Sequence, residues 1–320
     1  MKYTDVAGKK LSSMSLGTVQ LGMNYGIANK TGQPNEEKSF SMLRTALESG
    51  ITSIDTARAY GTSEEVIGRF LKTWEGEVPY ITTKVVDITG DNELEIERSI
   101  ISCLEESLDT LGINKVNNVL LHDQEPLFEN GKLVARAMEK LVKLGYTDKV
   151  GASVYKAEEL EKMLEYDVYT STQAPMSIFD QRLISSGMTD RLAERGITVF
   201  VRSVFLQGLF FLDPDMITDP TLIEHAVPKI RLLRECAEKE EMSIAELAIS
   251  FMRDVNGVTS LVLGADNPDQ VRANAAYFDV KPLSEETFEL IKRSFVGVDV
   301  PAIMKALSRP REDFQIIKNK

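Results

Sequence analysis

The chain is poor in residues that build covalent or metal frameworks. Its 320 residues include two cysteines, Cys103 and Cys236, and two histidines, His122 and His225. A disulfide scaffold and a thiolate zinc cluster are both out of reach, and no metal site is expected. No apolar run approaches the ~20 residues of a membrane span. The first ten residues, MKYTDVAGKK, lack the apolar stretch of a signal peptide, so a cytoplasmic protein is expected. Basic residues are the minority, 37 against 49 acidic, for a net charge of −12. That excludes a general binder of nucleic acid or anionic membranes, which needs a basic surface. No Gly/Ser linker or low-complexity stretch divides the chain, and no G-x-G-x-x-G fingerprint of an open dinucleotide-binding sheet is present.

What is there is a globular composition, 43% apolar and 27% charged, with material for a large core. At about 150 residues per domain the length suggests two domains, but closed α/β barrels reach it as one. We expect residues 1–320 to form one domain. Eight strand-like runs recur: SMSLG (13–17), TSID (52–55), PYITTK (79–84), NNVLLH (117–122), KVGAS (149–153), YTSTQ (169–173), ITVFVRS (197–203) and TSLVLG (259–264). Helical patterns separate them, at 36–49, 62–73, 91–111, 131–144, 157–165, 180–195, 243–253 and 267–277. Alternation of this kind favours a parallel sheet, and eight repeats favour a closed (β/α)8 TIM barrel. Two additions depart from the repeat. Residues 204–240, after run seven, carry a further helix at 221–238. Residues 278–320 form a C-terminal extension with a helix at 284–296 and a tail. Residues 1–12 read as a hairpin about Ala7-Gly8, across the barrel bottom.

In such barrels chemistry sits at the C-terminal ends of the strands. Those ends read Gly17-Thr18, Asp55, Lys84, His122, Ser153, Gln173, Arg202-Ser203 and Gly264-Ala265-Asp266. An acid, a base, an imidazole and an amide terminate otherwise apolar strands. Singly, each reads as a solvated strand end, an ion pair or a core histidine. Together they converge on one mouth.

The most specific local pattern is SIDTARAYG (53–61) followed by SEEVIG (63–68). With ITTK (81–84), LLHD (120–123), QAPMSIFDQR (173–182), RSVFLQGL (202–209) and GADNPDQVRAN (264–274), it resembles the aldo-keto reductase family over residues 10–280. The resemblance implies an NAD(P)H-dependent oxidoreductase that reduces an aldehyde or ketone to an alcohol. In it Tyr60 donates the proton, Lys84 lowers the phenol's pKa, Asp55 pairs with Lys84, and His122 orients the carbonyl oxygen. A free phenol, with a pKa near 10, needs such a cation to become a better acid. A placed proton donor is worth about 10²–10⁴ in rate.

By the same resemblance Ser153 and Gln173 bind the nicotinamide carboxamide, Arg202 stacks on the ring, and Ser203, Leu206 and Gly208 approach the pyrophosphate. Gly264, Ala265, Asp266, Gln270 and Asn274 face the adenosine, and Gly17, Thr18 and Asp55 border the cofactor. Two positions depart from the family pattern. Val154 replaces a frequent Asn. Asp266 stands where a cation often receives the 2′-phosphate of NADP. NADP(H) is slightly favoured, and NAD(H) is the alternative, since an aspartate can accept from a ribose hydroxyl.

Substrate is expected at Tyr25, Tyr60 and His122, below the loops 20–34, 123–129 and 204–220 and the tail beyond 297. Met23, Tyr25, Trp74, Phe179 and Phe205 would supply apolar walls, and Asn24, Asp123 and Gln124 hydroxyl-binding groups, which suits a small sugar-like carbonyl. The expected partner is that small molecule, and the expected state a monomer. A redox-sensing, nucleotide-binding regulatory subunit with slow turnover is the alternative, and a phosphate-binding barrel isomerase or lyase a third reading. Both cysteines read as packing residues and His225 as a surface residue.

Overall fold

The computed structural model describes residues 1–25 and 32–308. Two short strands, β1 (Tyr3–Val6) and β2 (Lys9–Ser12), pair antiparallel about a turn at Ala7-Gly8. Eight parallel strands then close a ring: β3 (Met14–Gly17), β4 (Ser53–Asp55), β5 (Tyr80–Val85), β6 (Val116–Leu121), β7 (Thr147–Ser153), β8 (Tyr169–Pro175), β9 (Thr198–Arg202) and β10 (Ser260–Leu263). β10 pairs with both β9 and β3. This is the (β/α)8 barrel expected from the alternation. The hairpin packs Val6 and Leu11 against Tyr80 and Phe200, the start of β5 and the middle of β9, and so covers the strands' N-terminal end.

The helix signals act where the sequence places them. Asn35 caps Glu36–Glu48 by accepting from the Lys38 amide at 2.9 Å, with Glu36 and Glu37 in the first turn. Asn92 caps Glu93–Leu111, and Gly112 ends it at φ 69°. Ser243 and Glu246 form a capping box at Ile244–Asp254.

Some expectations change. The helix expected over 180–195 is two pieces, Arg182–Ser185 and Met188–Glu194, parted by left-handed Gly187. The inserted helix is also two, Pro220–His225 and Val227–Glu240, because Pro228 opens a new first turn. The C-terminal extension holds Glu285–Ser294 and a further helix, Val300–Leu307, capped by Asp299 and packed on Pro220–His225. Part of the loop 20–34 (residues 26–31) and the tail beyond residue 308 lie outside the described residues.

The barrel interior is less apolar than the runs suggest. Ser15 Oγ donates to Ser53 Oγ at 2.8 Å and lies 2.9 Å from Ser260 Oγ. Ser171 Oγ donates to Asn118 Oδ1 at 2.6 Å. These buried groups satisfy one another, which removes the cost of placing polar side chains in the barrel. Cys103 and Cys236 are both free thiols on helices, packed against the core.

Candidate active site

The strand register brings the polar strand ends level. Gly17 lies opposite Asp55, Asp55 opposite Thr82, and Ser153 opposite Gln173. Lys84, one pleat period beyond Thr82 on β5, turns into the same mouth. Its ammonium is fully buried and lies 2.9 Å from each carboxylate oxygen of Asp55. It also donates to the Thr56 carbonyl at 3.0 Å and to Tyr60 Oη at 3.3 Å. Gln173 Nε2 donates to Asp55 Oδ1 at 2.7 Å. One carboxylate thus holds both the ammonium and an amide from the opposite side of the barrel.

Tyr60 reaches this ammonium because its loop backbone touches the end of a short helix, Val19–Gly22. A Cβ on Gly22 would stand 1.7 Å from the Tyr60 carbonyl oxygen, so only glycine permits the contact. Gly61, at φ +55°, turns the chain into the helix Ser63–Leu71. Ser63 Oγ donates to Thr18 Oγ1 at 2.8 Å, and Thr18 Oγ1 donates to the Asp55 carbonyl at 2.8 Å. Glu64, also buried, accepts from Thr83 Oγ1 at 2.6 Å and so ties this helix to β5 beside Lys84. Gly22 and Glu64 were not singled out from sequence as site residues. The contacts that explain them lie far apart in the chain.

Lys84 pulls the Tyr60 pKa down, as expected of it, but burial raises it more and Asp55 pushes it up as well, so the phenol ends above its ordinary value. Lys84 has its pKa raised as well. Burial opposes its charge, but Asp55 and the phenol together outweigh burial. At neutral pH this phenol is therefore protonated beside a charged ammonium.

His122 follows β6 and its amide donates to the Val85 carbonyl at 3.0 Å. Its ring stands edge-on to Tyr60, centroids 6.1 Å apart. Burial and Lys84 lower its pKa, which keeps the imidazole neutral at pH 7. Asp55, Tyr60, Lys84, His122 and Gln173 thus share one mouth.

The remaining candidates follow around the ring. Ser153 is buried and its carbonyl accepts from Gln124 Nε2 at 2.8 Å. Val154 is buried, with no polar side-chain atom to offer. Arg202 stacks over the Tyr155 ring, 4.2 Å to the centroid, and donates to the Val154 carbonyl at 3.3 Å. Ser203, Leu206 and Gln207 have φ of 64°, 45° and 56°, and Gly208 of 90°. Phe205, at φ −98° and ψ 11°, followed by left-handed Leu206 makes the alternating turn whose amides form a concavity suited to anions. The Leu206 side chain is buried, so only its backbone borders that curl.

After β10, Asn274 Nδ2 donates to the Gly264 carbonyl at 3.1 Å, and the Asp266 amide donates to Gln270 Oε1 at 2.6 Å. These side chains shape the 264–267 loop, and Ala265 is buried beneath it. Burial raises the Asp266 pKa against the pull of Lys38. Lys38, which the sequence did not single out, lines a cavity of about 450 Å³ with Gln33, Asn35 and Pro268.

Two expected pocket walls are elsewhere. Trp74 lies in the connection leading to the N-terminal end of β5, where it stacks on Phe70 with centroids 5.6 Å apart. Phe179 is a core residue between Phe210 and Phe295. Asn24 Oδ1 is taken by the Gln33 amide at 2.7 Å. Tyr25 and Met23 are exposed, and Phe205 is half-buried. Among the described residues no group of three or more His, Cys, Asp or Glu side chains could hold a metal, and no helix is long and apolar enough to cross a membrane.

A closed eight-stranded parallel barrel with an ammonium, carboxylate, phenol and imidazole at its C-terminal mouth is the architecture of a (β/α)8-barrel enzyme. The chain belongs to the aldo/keto reductase family, whose sequence profile matches residues 13–294. Among its relatives is an L-glyceraldehyde 3-phosphate reductase of Escherichia coli (strain K12). It is 25% identical over 329 residues, covering 90% of this chain and 88% of the relative. An NADH-specific methylglyoxal reductase of the same organism is 27% identical over 300 residues, covering 84% and 90%. The glycerol dehydrogenase of Gluconobacter oxydans shares the fold, with a TM-score of 0.73 at 21% identity over 96% of this chain and 97% of that one.

Proposed function

We propose that the protein reduces a small oxygenated aldehyde or ketone to an alcohol with a nicotinamide dinucleotide, Tyr60 serving as the general acid. The observation that carries the reading is the Tyr60 hydroxyl held 3.3 Å from the fully buried Lys84 ammonium. A protonated phenol beside a fixed cation is suited to give its proton to a carbonyl oxygen as negative charge grows there. Lys84 stabilises the phenolate that remains. His122, neutral, donates a hydrogen bond to the same oxygen without adding charge. Asp55 fixes the ammonium and leaves no buried charge unpaired.

The residues present fit a dinucleotide. The turn at Phe205–Gly208 suits a pyrophosphate. Gln173 and Ser153, opposite each other at the ends of β8 and β7, would hydrogen-bond a carboxamide, and Gln173 Nε2 is oriented by Asp55. Gly17 and Thr18 border the same end of β3 and β4. When bound, the nicotinamide supplies the hydride that no side chain can. NADP(H) is the first candidate by family usage. Asp266, partly buried beside the 264–267 loop, favours NAD(H) as the second, and one relative carries an NADH-specific name. The substrate reading, a sugar-like or short oxo-aldehyde, draws on Asp123 beside His122 and on relatives named for glyceraldehyde phosphate and methylglyoxal.

The test is Tyr60→Phe. Removing one hydroxyl should lower turnover of an aldehyde panel by at least about a hundredfold. Nucleotide affinity should stay within twofold of the native protein. Normal turnover in the variant would remove Tyr60 from this role.

A further inference from the structure

We infer that Arg202 makes the site discriminate between the redox states of its nicotinamide, favouring the neutral reduced ring over the cationic oxidised one. The inference rests on the nucleotide-dependent reading above. Arg202 is the last residue of β9, left-handed Ser203 follows it, and the curl at Phe205–Gly208 begins three residues on. A dinucleotide with its pyrophosphate in that curl, and its ring beside the Tyr60 hydroxyl, has to pass over this strand end. The charge is felt where the chemistry occurs, since Arg202 acts on both the phenol of Tyr60 and the imidazole of His122.

The guanidinium is fixed but not neutralised. Its hydrogen bond goes to the uncharged Val154 carbonyl and one face rests on Tyr155. Among the described residues no carboxylate forms an ion pair with it. Arg58, by contrast, is paired with Glu106 at 3.0 Å and Glu64 at 3.6 Å. The carboxylate of Asp55 is held by Lys84 and Gln173. Like charges about 4 Å apart differ from a charge–neutral pair by about fivefold in affinity even at the dielectric of water, and by more in a half-buried mouth. An aromatic face at this position would act in the opposite sense, attracting the oxidised ring. The arginine therefore biases the protein toward holding, and spending, reduced cofactor.

Isothermal titration calorimetry with NADPH, NADP⁺, NADH and NAD⁺ tests this on the native protein, Arg202→Gln and Arg202→Lys. The glutamine keeps a donor for the Val154 carbonyl and removes the charge, and the lysine keeps the charge. The native protein should bind the reduced form of its preferred nucleotide at least fivefold more tightly than the oxidised form. Arg202→Gln should bring that ratio to within twofold of unity, mainly by tightening the oxidised form, while Arg202→Lys retains the ratio. Should Arg202→Gln not fold, Arg202→Leu replaces it. An unchanged ratio in the neutral variant, or equal weakening of both forms, overturns the inference. Failure of the native protein to bind any of the four nucleotides overturns instead the reductase reading beneath it.

Discussion

Replacing Asp55 by asparagine should destabilise the protein far more than one polar change at a strand end normally does. The Lys84 ammonium is fully buried, and both Asp55 oxygens lie 2.9 Å from it. In the Asp55→Asn variant, the Thr56 carbonyl and the Tyr60 hydroxyl remain as oxygen neighbours, and neither carries charge. An uncompensated buried charge of this kind costs about 3–5 kcal/mol, a large part of the 5–15 kcal/mol typical of a folded domain. Lys84→Met should cost a similar amount, through the orphaned carboxylate. Independent effects would sum to about 6–10 kcal/mol. The double variant should instead lose less than about 2 kcal/mol, because replacing both members of a buried pair is close to neutral. The coupling would then be at least about 4 kcal/mol. Urea unfolding followed by circular dichroism, on the four proteins of the cycle, measures it. A loss below about 1 kcal/mol in Asp55→Asn, or additive losses in the double variant, would refute the account of the site as a desolvated ion pair.

Two further outcomes follow from the same mouth. With the His122 pKa lowered from 6.5 and the Tyr60 pKa raised from 10.0, carbonyl reduction should be nearly independent of pH between those values, while alcohol oxidation, which needs the phenolate, should climb across the same range. Initial rates in both directions check this, and an alkaline fall in reduction with a midpoint well below 10 would contradict it. Gly22→Ala places a methyl 1.7 Å from the Tyr60 carbonyl and 2.6 Å from the Ser63 amide, both backbone. The two segments must part by about an ångström, so turnover should fall on the order of a hundredfold while nucleotide affinity changes little. Paired kinetic and calorimetric measurements on the variant distinguish that from general unfolding.

The sequence carried the barrel because strand-like runs alternate with helical ones, several of them opened by a side-chain cap such as Asn35, Asn92, Ser243 or Asn267, and both signals are local. It carried Asp55, Lys84, His122 and Gln173 as neighbours for a related reason, and Tyr60 through the motif that follows Asp55. In a closed parallel barrel, the C-terminal strand ends share one face whatever the details. Direction was harder to read. Trp74 and Phe179 look like pocket aromatics in a string of letters, but Trp74 lies on the path to the far end of β5 and Phe179 is in the core. The sign of the Tyr60 shift was also out of reach. It depends on the balance between burial and Lys84, and burial is a tertiary quantity. Gly22 and the Arg202–Tyr155 stack escaped notice because each is a contact between segments of different repeats.

Asp55 Oδ1 receives hydrogen bonds from two donors with different duties, Lys84 and Gln173. A ligand that draws on the Gln173 amide alters how much of that oxygen remains for the ammonium, and hence how strongly the phenol keeps its hydrogen. Linkage makes the effect mutual. Occupancy at one wall of the barrel and proton affinity at the other become a single thermodynamic variable, and neither wall can drift in evolution without detuning its counterpart.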